Sequence, residues 1–150
     1  RIIMGDGKNQ TIDKFHSTPI KSGENRFLLF DSDEASPDKK SVCDKFNAEK
    51  PNRKMDSTVD NTFLMIQEVE AWILSQPDIL TKAGVDMSRF NIPNVETISK
   101  PSEKLMDLYK HSNKTYTKVS EFVKIFPLLD SNKLKESCPE YKALIIALNN

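Results

Sequence analysis

Arg26-Phe27-Leu28-Leu29-Phe30-Asp31-Ser32-Asp33-Glu34 is the stretch on which the fold of this chain turns. Phe27 to Phe30 form a short continuous apolar run without polar alternation, the pattern of a strand covered on both faces. The run stops at Asp31, and acidic side chains take over at its carboxyl end. Thr62-Phe63-Leu64-Met65-Ile66 repeats the pattern. Directly behind it, Val69, Trp72 and Ile73 fall at i, i+3 and i+4, which predicts an amphipathic helix over Gln67–Ser75 that stops before Pro77.

Outward from these runs the chain alternates. On the amino side, Arg1–Met4 reads as a strand, Gly5-Asp6-Gly7 as a tight turn, and the segment carrying Ile12 and Phe15 as a helix. Ser36 to Asp60 is polar, with one short helix expected near Asp38–Asn47. On the carboxyl side the spacing predicts a turn at Ile79–Ala83 and helices over Pro101–His111, Lys118–Phe126, Ser131–Glu136 and Pro139–Leu148, with Val119, Phe122, Val123 and Phe126 as the apolar face of the second. This order of elements predicts an α/β fold: a mainly parallel sheet flanked by helices, with a helical C-terminal half. The length of 150 residues and the lack of a long linker point to a single domain, 1–150, in which 100–150 is a helical extension.

Composition narrows the function classes. Lys+Arg and Asp+Glu are both 22, so the whole chain has no bulk attraction to nucleic acid or anionic membranes, and any such binding must come from a local patch. No apolar run approaches the ~20 residues that span a bilayer. Cys43 and Cys138 lie far apart and outside any CxxC spacing. Both are expected as buried or half-buried thiols, in a reducing compartment, which makes the expected location cytoplasmic.

In an open parallel sheet, functional groups gather beyond the carboxyl ends of strands. Asp31 and Asp33 follow the first run, and at spacing two an extended backbone would point both carboxylates to one side. Glu68 and Glu70 follow the second, and Glu70 is preferred because it shares a helical face with Gln67 and Leu74. Magnesium takes one or two carboxylates plus water and phosphate oxygens, a demand that Asp31, Asp33 and Glu70 meet. The same Asp-x-Asp spacing also serves to cap a helix or turn the chain. Trp72 belongs to an apolar stripe and reads as core, while His16 and His111 have no partner at ligand spacing and read as surface or structural residues. Lysines 100, 104, 110, 114, 118 and 124 outnumber the acids among them, which suits either a phosphate-contacting patch or a solvated helix surface.

Phe27-Leu28-Leu29-Phe30-Asp31-Ser32-Asp33, the stretch Phe63 to Leu74 with Gln67-x-x-Glu70-Ala71-Trp72 inside it, Ile92 to Lys100, and Tyr116-Thr117-Lys118 together resemble a bacterial Toprim-related family. Its function is poorly defined, and its members are often encoded beside AAA-type or SMC-like ATPases in phage-defence neighbourhoods. The resemblance implies a Toprim-like core, in which a glutamate after the first strand and an Asp-x-Asp after a later one hold magnesium for phosphodiester chemistry. Asp31 and Asp33 match the second element. The chain starts at what looks like the second strand, so the upstream strand and its glutamate are expected to be missing. Gln67, Glu70, Lys100 and Lys118 match recurrent positions, the lysines suited to phosphate.

Two functions are expected from this. One is a nuclease-type domain dependent on Mg²⁺ or Mn²⁺, with Asp31, Asp33 and Glu70 as catalytic metal ligands, Gln67, Lys100 and Lys118 in support, DNA or RNA as substrate and an ATPase as partner. The alternative is a catalytically inactive subunit of the same fold that docks a partner or binds nucleic acid.

Overall fold

The two apolar runs pair with each other. In a computed structural model, which describes residues 5–35 and 37–150, they form β1 (Leu28–Asp31) and β2 (Thr62–Met65) of a two-stranded parallel sheet. The Leu28 N–H donates to Asn61 O at 2.8 Å and opens the pairing. The protein is mixed α/β with 51% helix and a helical C-terminal half. Among the described residues the sheet has only these two strands, smaller than the mainly parallel sheet expected. The strand expected at Arg1–Met4 lies outside the described residues.

Chain contacts divide the protein into two compact units. In the first, whose described part spans 5–31 and 37–64, α1 (Lys8–Ser17) and α2 (Lys39–Glu49) accompany the strands. Gly7 precedes α1 with φ 88°, a backbone conformation that glycine adopts without penalty. Ile12 and Phe15 of α1 and Cys43 and Phe46 of α2 are buried, and the Phe46 ring meets Phe30 edge to face at 5.4 Å. The polar stretch after α2 is pinned by side chains. Asn47 donates from Nδ2 to Ser57 O (2.8 Å) and accepts the Ser57 N–H on Oδ1 (2.9 Å). His16, only 2% exposed, has Nδ1 2.8 Å from Met55 O and Nε2 3.1 Å from the Ser57 hydroxyl. A carbonyl can only accept, so Nδ1 donates to Met55 O, and Nε2 shares a hydrogen bond with the Ser57 hydroxyl. His16 is thus structural, with both ring nitrogens used.

The second unit comprises Ser32–Ala35 and Met65–Asn150. Its helices are α3 (Glu70–Leu74), α4 (Pro77–Lys82), α5 (Pro101–His111), α6 (Lys118–Ile125), α7 (Ser131–Ser137) and α8 (Pro139–Leu148). Pro77, Pro101 and Pro139 each open a helix, where a missing N–H costs nothing and φ is already set. One core gathers Ala71, Ile73, Leu74, Leu80, Leu105, Leu108 and Ile125. Trp72, 3% exposed, stacks near Phe126 (6.3 Å) and meets Tyr141 edge-on (5.0 Å), as a core aromatic should. Gln76 is fully buried and clasps Asp130, donating to its carbonyl (3.0 Å) and accepting its N–H (2.8 Å).

Three local expectations change. The helix expected from Gln67 begins only at Glu70, because Gln67 sits at φ 64°, outside helical space. The turn expected at Ile79–Ala83 is instead the body of α4. On α6, Ile125 is buried while Val119 and Val123 are 75% and 66% exposed, so half of the expected apolar face points to solvent.

Candidate functional site

The second unit holds five of the six residues singled out from the sequence, and each of them enters a local group of polar contacts. The first group lies at the acidic turn. The Ser32 N–H donates to Met65 O and the Asp33 N–H to Gln67 O, both at 2.9 Å, while the Ser32 hydroxyl accepts the Gln67 N–H at 2.8 Å. These bonds brace a turn in which Asp33 takes φ 60° and leaves its side chain exposed. The left-handed conformation is one that Asp tolerates, and it ends strand alternation. The argument that an extended backbone aligns the Asp31 and Asp33 carboxylates therefore does not apply. Asp31 is half-buried at the end of β1 and belongs to the first unit.

Gln67 is 4% exposed, and its neighbours orient its amide: the nitrogen donates to Ser99 O (3.3 Å) and the oxygen accepts from the Ala35 N–H (3.1 Å). The acidic turn is thereby tied to the segment that leads into α5. At that entry, Glu68 accepts the Ser102 N–H on Oε2 at 2.9 Å, taking up an unpaired donor of the first turn of α5. Lys100 immediately precedes α5, is 66% exposed and pairs with Glu103 at 2.6 Å. The Glu103 hydrogen bond raises its pKa first, with the more distant charge of Glu68 adding to it.

Glu70 is wholly buried. Its Oε1 accepts from the Tyr116 hydroxyl (3.2 Å) and pairs with Lys118 Nζ (3.0 Å), whose side chain is 56% exposed. Its Oε2 is buried without a hydrogen-bond partner. Burial, then the Glu70 charge and hydrogen bond, push the Tyr116 pKa above its ordinary value, so the phenol stays protonated and donates. A buried carboxylate is expensive unless paired, and here the charge on Oε1 is met by an ammonium at the surface.

Among the described residues, no group of three or more His, Cys, Asp or Glu is placed to hold a metal ion. Glu70 and Asp33 therefore do not join in such a group. Two of the groups that build this site escaped the sequence reading. Glu68 was ranked below Glu70, although its place after a strand is the signal that finds a backbone acceptor. The Tyr116 hydroxyl had no signal beyond the Tyr-Thr-Lys stretch itself. In the same unit, a groove of about 570 Å³ is lined by Phe90, Ile92, Val95, Glu96, Glu136 and Pro139 among others. No helix among the described residues is long and apolar enough to cross a membrane.

No curated protein and no solved structure matches the chain. A family model matches residues 8–149, nearly the whole length, and on that match the chain belongs to the DUF4276 family, a domain of unknown function.

Proposed function

We propose that this protein is a Toprim-like nucleic-acid-binding subunit that contacts phosphates through Lys100 and Lys118. The observation that carries this reading is a pair of mostly exposed lysines in the second unit, Lys118 paired with the buried Glu70 and Lys100 paired with Glu103 at the entry to α5. The Lys100–Glu103 pair is exposed on both sides and worth little in water, so Lys100 passes to a phosphate at small cost, whereas Lys118 would meet a phosphate while still paired with Glu70, because leaving that buried carboxylate uncompensated is costly. The resemblance to Toprim-related proteins adds an AAA- or SMC-like ATPase as expected partner and a bacterial defence role in the cytoplasm.

Fluorescence anisotropy with labelled single-stranded and duplex DNA and RNA, over a salt series, tests the proposal. Each phosphate contact contributes about 0.7–0.9 to the slope of log K against log salt. Lys100→Met and Lys118→Met should each lower the slope by about that amount. An absence of binding at low salt, or slopes unchanged in both variants, overturns it.

A second reading is favoured by one observation: Asp33 has an exposed side chain on a turn braced by three hydrogen bonds. Magnesium needs only one or two carboxylates with water, so Asp33 would suffice to anchor Mg²⁺ or Mn²⁺ for phosphodiester cleavage. Metal-dependent cleavage lost in Asp33→Ala would establish this reading over the first.

A further inference from the structure

We infer that Glu70 is a positioning residue for Lys118, present to hold that ammonium at the start of α6 where a phosphate can meet it. The inference rests on the phosphate-binding reading above and assigns Glu70 to the lysine rather than to a cation. Three observations carry it. Glu70 has no exposed surface, yet Oε2 has no hydrogen-bond partner, so the carboxylate is poorly repaid as a stabilising device. Its charge is directed through Oε1 at a lysine that remains 56% exposed, which is where a ligand can reach. Lys118 is also the first residue of α6, whose N-terminal end disfavours a cation and whose preceding Thr117 makes no side-chain cap. Left alone, an ammonium there would swing into solvent. Held by Glu70, it stands at the N-terminal end of α6, where the helix dipole favours an anion, and the two together suit one.

Tyr116 completes the clamp. Its hydroxyl donates to the same Oε1, and its ring packs edge-on against Tyr109 at 5.3 Å, so the oxygen that holds Lys118 is itself fixed from the core.

The test is a double-mutant cycle read by anisotropy with a fluorescein-labelled single-stranded DNA oligonucleotide over a salt series. Glu70→Gln should keep the Trp72 fluorescence of the folded chain but weaken binding about tenfold and lower the salt slope as Lys118→Met does. In the Lys118→Met background it should have no further effect, because the two residues act as one unit. A merely structural role predicts a lower thermal midpoint with unchanged slope and affinity, the behaviour expected of Gln76→Leu. If Glu70→Gln does not fold, Glu70→Asp keeps the charge but withdraws it by one methylene, and should fall between wild type and Lys118→Met. Glu70→Gln, or Glu70→Asp in its place, that binds as tightly as wild type or more tightly overturns the inference, as does a loss that adds fully to that of Lys118→Met. A wild-type chain that does not bind refutes instead the reading beneath it.

Discussion

Replacing Gln76 with Leu removes a clasp while keeping the side chain's size, and its cost follows from the structure. Gln76 is fully buried and makes two bonds to the Asp130 backbone, one in each direction, at 3.0 and 2.8 Å. Each is worth about 1 kcal/mol net, and a buried partner left unpaired would lose up to a few kcal/mol more. Asp130 is itself exposed, so water recovers part of that loss, and the expected destabilisation is about 2–3 kcal/mol. For a chain of this size that lowers the thermal midpoint by about 5–10 °C. Urea unfolding followed by the fluorescence of the single tryptophan, Trp72, reads the unit that contains the clasp. Asp130→Ala provides a control through a different group: its carboxylate caps α7 by accepting the Asn132 N–H at 2.8 Å, and losing that cap costs about 1 kcal/mol. A Gln76→Leu loss below about 0.5 kcal/mol would mean that apolar packing replaces the clasp, and the reasoning would fail.

Two further predictions concern titratable groups of the same unit. Burial, and then the nearby charge of Glu140, raise the Glu96 pKa above its ordinary 4.5, and its Oε1 is buried without a partner. A raised carboxyl pKa contributes stability that is complete below the ordinary value and is lost as pH rises through the folded one. Glu96→Gln should therefore be more stable than wild type at pH 7 and lose that advantage toward acid pH, as thermal midpoints over a pH series will show; an advantage that grows on acidification refutes it. Burial, with Glu96 adding to it, pushes the Cys138 thiol up to about 12. A disulfide reagent at mildly alkaline pH should leave Cys138 unmodified in the native chain and label it on unfolding in urea; prompt native labelling would show that the thiol is not sealed.

Most of the fold was legible because its elements are written locally. Phe27–Phe30 and Thr62–Ile66 admit a strand and little else, and Pro101 and Pro139 mark helix starts that the structure reproduces. What could not be read depends on contacts distant in sequence. Gln67-Glu68-Val69-Glu70 has helical spacing, yet the first of these is held at φ 64° by bonds to Ser32, Asp33 and Glu34, more than thirty positions earlier. Periodicity likewise put Val119, Phe122, Val123 and Phe126 on the core face of α6 and left Ile125 off it. Only the packing of α6 decides that Ile125 is buried and Val119 is exposed.

The same limit explains the reading of Glu70. From sequence, an acidic residue in a first turn is ordinary, and so is a lysine opening a helix. Tyr116 lies 46 residues from Glu70, with Lys118 two positions beyond it. Nothing local says that the three meet. Once they do, burial changes what the carboxylate can be. In water Glu70 would be one more potential magnesium ligand, but enclosed, with an ammonium and a phenol on one oxygen, it leaves Lys118 as the charged member of the pair that solvent reaches. A stretch that reads as acidic in the sequence carries, in the structure, a buried carboxylate under an exposed ammonium, and the phosphate reading proposed above rests on that inversion rather than on any local run of charge.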